Sequence, residues 1–107
     1  HGGRVLEAAP GSARVLPQIA TYLKQNYPHV LILADGGIRS GGDIYKMLAL
    51  GAHAVLVGRP IAIAAVGMGR LGVERLLLDY LEEFKQTMRV MGDKNLQDIS
   101  PTALTKV

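Results

Sequence analysis

Residues 30–39, VLILADGGIR, join an unbroken apolar run to a pair of glycines and an arginine. Short, continuous runs of β-branched residues and leucine are typical of a parallel strand that is buried on both faces. Glycine at the end of such a strand permits positive φ and a close approach of backbone N–H groups to a ligand. Arginine adds a planar fork of donors that suits phosphate. The stretch therefore predicts a strand over residues 30–34 that ends in an anion-binding loop.

The same pattern recurs further along the chain. Residues 54–57 predict a second short strand, and Gly58 and Arg59 follow it. A helical pattern comes after each strand, at residues 44–50 and 61–66, and this alternation favours a parallel sheet with helices outside it. Loops after two successive strands are where (β/α)8 barrels bind phosphate. We therefore predict an α/β fold whose two loops bind one phosphate, although either loop alone also fits a plain strand-to-helix turn.

Periodicity also predicts longer helices around these strands. Residues 12–26 form one, capped by Ser12, with Pro17 either near its first turn or marking its start. Residues 71–91 form another, after a glycine-rich break at 67–69. Its expected buried stripe consists of Val73, Leu76, Leu77, Tyr80, Leu81, Phe84, Met88 and Met91.

Size and composition limit what the chain can be. Its 107 residues, 49% of them hydrophobic, allow one globular domain at most, whereas a complete barrel takes about 250 residues. We therefore expect residues 1–107 to be a single partial domain, the carboxyl-terminal βα units of a barrel, with a tail from about residue 100. The net charge is only +3, the basic residues are scattered along the chain, and 5% of the residues are aromatic. This composition predicts no nucleic-acid surface.

Two absences in the sequence bear on location. The chain has no cysteine, which excludes disulfides and favours a reducing compartment. No apolar run reaches the roughly 18 residues of a membrane span, and the chain does not open with a secretory signal. We therefore expect a cytoplasmic protein with no membrane contact.

Residues 1–4, HGGR, combine a proton acceptor with a guanidinium group. The imidazole of His1 can accept a proton near neutral pH, and Arg4 can bind a carboxylate through two parallel hydrogen bonds. Alone, the pair also fits a flexible loop, but its place ahead of two phosphate loops favours a site for an anionic substrate. His29 and His53 have ordinary structural explanations, so no metal site is predicted.

The ordered set of motifs resembles one enzyme family. Residues 1–4, 35–39, 46–52 and 57–60 are similar to the carboxyl-terminal part of the FMN-dependent 2-hydroxy acid oxidases and dehydrogenases, which include glycolate and lactate oxidases. The resemblance extends over residues 1–99. It implies a TIM (β/α)8 barrel, an FMN cofactor, oxidation of a small 2-hydroxy acid of the lactate or glycolate type to the 2-oxo acid, and a homo-oligomer, a tetramer.

The resemblance also implies roles for individual residues. His1 would be the catalytic base and contact the substrate, and Arg4 would bind the substrate carboxylate. Glu7 stands where the family usually has aspartate. Because the family takes further site residues from earlier strands, the functional unit would need the amino-terminal part of the barrel.

The resemblance also assigns the residues that bind the cofactor. FMN would be held by Asp35 at its ribityl chain and, at its phosphate, by Gly36, Gly37, Ile38, Arg39, Gly58 and Arg59.

Two alternatives remain open from the sequence. Residues 34–44 also resemble the corresponding loop of inosine monophosphate dehydrogenases, and residues 46–52 resemble type 2 isopentenyl diphosphate isomerases, but both families lack HGGR at this place. The other alternative is a non-catalytic barrel fragment whose exposed strand edges and apolar helix faces serve assembly.

Overall fold

The computed structural model describes residues 5–105, and within them the helices and strands alternate as predicted. The strands are shorter than the sequence suggests. In chain order, the elements are helix α1 (Ser12–Asn26), strand β1 (Leu33–Asp35), helix α2 (Gly41–Ala49), strand β2 (Ala54–Leu56), helix α3 (Arg59–Met91) and two 3-10 turns (Leu96–Asp98 and Pro101–Ala103).

The two strands form a parallel pair, with Leu33 opposite Ala54 and Asp35 opposite Leu56. Since α2 connects them, both strands end at the same edge of the sheet. The core lies where α1, β1 and α2 meet, and it contains Leu16, Ala34, Ile38, Met47 and Ala52. The loops that follow the two strands therefore leave the sheet side by side.

The first strand begins at Leu33, later than predicted, because the residues before it bond differently. The backbone N–H of Val30 donates to the carbonyl of Tyr27 in a turn, at 3.0 Å. Ile32 is bonded twice to His53: its carbonyl accepts from the His53 N–H at 2.8 Å, and its own N–H donates to the His53 Nδ1 at 2.9 Å. A histidine side chain thus replaces a backbone ladder partner.

Helix α1 accommodates Pro17 in its interior, so the helix does not start there. Gly11, and not Ser12, is the N-cap, and it makes no side-chain capping bond. Proline leaves one carbonyl of the preceding turn without its helical donor. The carbonyl of Pro17 itself is a different group, and it accepts a hydrogen bond from the hydroxyl of Thr21 at 2.9 Å.

Helix α3 is two helices joined at a kink, as the break at residues 67–69 predicts. Met68 and Gly69 leave the helical region, Gly69 with φ 57°, and Gly92 ends the helix with φ 85°. No helix between residues 5 and 105, α3 included, combines the length and apolar character needed to cross a bilayer.

The predicted buried stripe of α3 is confirmed only in part for this chain taken by itself. Tyr80 is the one α3 residue that is buried, while Leu77 and Leu81 are 50% and 47% exposed and Met91 is 42% exposed. The reason is that α3 packs mainly against the short helix α2, which covers only part of its apolar face. The spacing of the stripe is helical, but three of its eight members are exposed here, while Val73, Leu76, Phe84 and Met88 are half-buried.

Candidate anion-binding cleft

A cleft of about 460 Å³ opens at the carboxyl edge of the sheet. It lies between the loop after β1, the junction of β2 with α3, and residues 9–12 at the start of α1. The structure brings together every residue predicted to hold FMN: Asp35, Gly36, Gly37, Ile38, Arg39, Gly58 and Arg59 all line it. His1 and Arg4 lie outside the described residues, so their predicted roles stay predictions.

The loop after β1 is shaped by its glycines and anchored by Ile38. Gly36 and Gly37 have φ of 112° and 76°, a conformation that residues with a Cβ rarely adopt. A Cβ on Gly37 would meet no atom within 4 Å, so backbone conformation rather than space requires glycine there. The Ile38 side chain is 4% exposed and belongs to the core, which leaves only its backbone for the cleft.

Asp35 is the last residue of β1 and follows the buried Ala34. Successive side chains of a strand point to opposite faces, so the Asp35 carboxylate points away from the core and lines the cleft. It is partly exposed there.

The amino terminus of α3 faces the cleft without a side-chain cap. Gly58 is its N-cap and has no side chain with which to make a capping bond, and the first turn holds no acidic residue. Instead Arg59, which is exposed, occupies the first helical position. A positive charge at the positive end of a helix dipole is unfavourable unless an anion lies near it. This helix end therefore has the polarity of an anion site.

The amino terminus of α2, in contrast, is capped by the protein's own groups. The Ser40 hydroxyl accepts from the Asp43 N–H at 3.0 Å, and a carboxylate oxygen of Asp43 accepts from the Arg39 N–H at 3.1 Å. The Gly41 N–H donates to the Glu83 carboxylate of α3 at 2.7 Å. The backbone of Arg39 is thus already bonded, and this residue can reach a ligand only through its exposed side chain.

Two buried tyrosines of the packed helices have perturbed hydroxyls. Burial, and then the Asp93 carboxylate that accepts its hydrogen bond at 2.7 Å, raise the pKa of Tyr45 to about 12. Burial also raises the pKa of Tyr80, and the charges of Glu83 and Asp43 add to this, whereas Arg39 lowers it.

Some of these contacts could have been found in the sequence and others could not. Residues 40–43, with serine three positions ahead of aspartate, fit the pattern of a capped helix start. The bonds of Glu83 to Gly41 and of Tyr45 to Asp93 join residues more than forty positions apart, and no local pattern marks them. Among residues 5–105, no three histidine or carboxylate side chains converge to hold a metal ion.

The fold and the sequence both have relatives among flavin enzymes. A family model for FMN-dependent dehydrogenases matches residues 1–106. The chain is 47% identical over 107 residues to an L-lactate dehydrogenase of Xanthomonas axonopodis pv. citri, covering 100% of the chain and 27% of that protein. It is also 47% identical over 105 residues to an L-lactate oxidase of Alicycliphilus denitrificans, covering 98% of the chain and 28% of that protein.

Two solved structures resemble the chain closely. A double mutant of flavocytochrome b2 with sulfite bound superimposes with a TM-score of 0.91 at 34% identity, over 98% of this chain and 28% of that one. A mandelate oxidase mutant with a monooxide FMN adduct gives a TM-score of 0.85 at 40% identity, over 92% of this chain and 31% of that one. The chain therefore spans between a quarter and a third of the length of these relatives. As the ordered motifs at residues 1–4, 35–39 and 57–60 predict, it belongs to the family of FMN-dependent dehydrogenases.

Proposed function

We propose that this chain supplies the carboxyl-terminal βα units of a TIM (β/α)8 barrel that uses FMN to oxidise a small 2-hydroxy acid to the 2-oxo acid. The observation that carries the proposal is the cleft at the carboxyl edge of the sheet. Two glycine-containing loops, each with an arginine, meet there beside the uncapped end of α3. The volume of about 460 Å³ is within the range of small-molecule sites.

The proposed roles of the described residues follow from where they lie. The phosphate of FMN would accept hydrogen bonds from the first turn of α3 and from the loop after β1, with the side chains of Arg39 and Arg59 supplying charge. Asp35 would hold the ribityl hydroxyls from the end of β1. When bound, FMN supplies the acceptor for two electrons from the α-carbon of the substrate.

The proposed roles of His1 and Arg4 rest on the family motif. His1 would take a proton from the substrate, and Arg4 would fix the substrate carboxylate by two parallel hydrogen bonds. The names of the relatives support a substrate of this class, since they include lactate dehydrogenase, lactate oxidase and mandelate oxidase. Within the lactate or glycolate type, the two 47% identical lactate enzymes favour lactate.

The amino-terminal part of the barrel is the proposed partner of the exposed apolar surface. On the strands, Leu33 is 58% exposed and Leu56 is 50% exposed, whereas strands of a parallel sheet are normally covered on both faces. On α3, Leu77 and Leu81 are 50% and 47% exposed. The remaining strands and helices of the longer relatives would cover such faces. The tetramer and the cytoplasmic location stay predictions.

The test is an absorption spectrum of the protein purified as the assembled barrel. A flavin spectrum that is bleached anaerobically by lactate or glycolate would support the proposal. Flavin that neither acid bleaches, together with tight binding of inosine monophosphate, would favour the alternative family. A colourless protein would favour a fragment that serves assembly only.

Arg59→Ala tests the placement of the phosphate. Because charge-assisted hydrogen bonds contribute about 1.5–3 kcal/mol each, we expect FMN to bind about 10- to 100-fold more weakly. Arg70→Ala is the matched control, since Arg70 is an exposed arginine of the same helix that does not line the cleft. Fluorescence titration of the apoprotein with FMN measures the FMN affinity of both variants. Equal affinity in the two variants would refute the placement.

A further inference from the structure

We propose that Glu83 is a positioning residue for the phosphate loop: from α3 it fixes the first turn of α2, and through that turn the loop that ends at Arg39. The proposal rests on the proposed function, because it concerns FMN bound in the cleft. Glu83 lies outside the cleft itself, so it would act on the phosphate only through other residues.

The first step of the argument is the closeness of α2 and α3. A Cβ atom on Gly41 would overlap the backbone nitrogen of Phe84 and the carbonyl oxygen of Tyr80, and it would lie 2.6 Å from the Glu83 Cβ. Glycine at this position lets the start of α2 rest directly on the backbone of α3. Glu83 therefore lies beside the first turn of α2, although it is exposed to solvent.

The second step is a continuous set of hydrogen bonds. The Glu83 carboxylate accepts from the Gly41 N–H at 2.7 Å, and Ser40, the residue before Gly41, accepts from the Asp43 N–H through its hydroxyl. Asp43 in turn accepts from the Arg39 N–H at 3.1 Å. These bonds connect α3 to the last residue of the phosphate loop. Displacing the Glu83 carboxylate would remove the bond from α3 to the first turn of α2, so we expect this end of the loop to be held less firmly.

The third step is electrostatic. A carboxylate at the amino terminus of α2 complements the helix dipole, and here Glu83 and Asp43 both fill that role. Asp43 accepts from the Arg39 N–H, and Glu83 accepts from the N–H of Gly41, two residues further on. Glu83 is thus part of the charged surroundings of Arg39, whose side chain is proposed to contact the phosphate.

A second bond between the same helices provides a matched control. The hydroxyl of Tyr45 donates to Asp93 at 2.7 Å, which ties α2 to the residue just beyond Gly92 at the far end of α3. Tyr45→Phe removes that bond without altering the first turn of α2. If Glu83 only held the two helices together, both variants would affect FMN alike.

The experiment compares FMN with riboflavin, which lacks the phosphate, on the assembled apoprotein. We expect Glu83→Ala to weaken FMN binding about tenfold and to leave riboflavin binding unchanged. Glu83→Asp keeps the charge but shortens the side chain, so it should also weaken FMN binding. It is the milder variant if alanine impairs folding. Glu83→Gln keeps the length and an acceptor and should stay within about threefold of the unmodified protein. Tyr45→Phe should lower the melting temperature and leave the FMN dissociation constant unchanged.

The outcomes separate this proposal from the proposed function. If the unmodified protein binds riboflavin as tightly as FMN, the phosphate site itself is refuted, and the role of Glu83 with it. If the unmodified protein prefers FMN and both Glu83→Ala and Glu83→Asp keep that preference, only the role of Glu83 is overturned. Equal losses of FMN and riboflavin, or an equal loss of FMN in Tyr45→Phe, would also overturn it, because they would mark a general structural effect.

Discussion

Replacing Gly41 by alanine tests how closely α2 rests on α3. The added Cβ would overlap backbone atoms of Phe84 and Tyr80 and would lie 2.6 Å from the Glu83 Cβ, whereas carbon atoms in ordinary contact are about 3.5–4.0 Å apart. The helices would have to separate by about 1 Å. Overpacking costs about 1–3 kcal/mol, and the obstruction by backbone favours the upper end. Alanine recovers at most about 1 kcal/mol as the better helix former, so we expect a net loss of about 2 kcal/mol.

The neighbouring glycine is the control. A Cβ on Gly42 would have the Ser40 hydroxyl as its nearest neighbour, at 3.6 Å, which is an ordinary contact. Gly42→Ala should therefore raise the stability by about 0.4–1 kcal/mol, through the lower entropy of the unfolded chain. Urea unfolding of the assembled protein, monitored by far-ultraviolet circular dichroism, measures the free energy of unfolding of both variants. If Gly41→Ala is as stable as Gly42→Ala, the close packing of the two helices is wrong.

Two further predictions concern side chains that bond across the fold. Tyr45→Phe should cost about 1–3 kcal/mol of stability in urea unfolding, because the Asp93 carboxylate loses its donor. Since the pKa of Tyr45 rises from 10.0 to about 12 on folding, the stability of the unmodified protein should fall as the pH rises from 10 through 12, and Tyr45→Phe should lack this component. His53→Ala should cost about 0.5–1.5 kcal/mol by removing the acceptor of the Ile32 N–H. A thermal melt of His29→Ala, an exposed loop residue, serves as its control, and equal melting temperatures would refute this role of His53.

The order of the elements was predictable because it depends on local signals. The apolar run before Asp35 marks a strand, although Leu33 is 58% exposed in this chain and the predicted burial on both faces is not found. The glycines at 69 and 92 mark the kink and the end of α3 through their positive φ. The exact start of β1 was not predictable. It depends on His53, which lies twenty-one positions from Ile32 and bonds to it through a side chain, and residue patterns within one segment carry no information about such a bond.

The predicted stripe of α3 shows a different limit. Its spacing correctly indicates a helix with an apolar face, but burial depends on what covers that face. In this chain α2 covers the part around Tyr80 and Phe84, and Leu77 and Leu81 stay about half exposed. A hydrophobic pattern therefore predicts which residues need a partner, while the partner itself belongs to the rest of the fold.

The cleft was predictable as a set of residues but not as a distribution of charge. The sequence treats the two loops as equivalent, each with glycine and arginine after a strand. In the structure, the two negative charges of Asp43 and Glu83 at the start of α2 offset the positive charges of Arg39 and of Lys46, which pairs with Asp43 at 3.6 Å. The start of α3, in contrast, has Arg59 and no acidic residue. A phosphate is therefore attracted more strongly by the second arrangement than by the first. It should therefore lie closer to α3, with the loop after β1 held rigid by the carboxylates behind it.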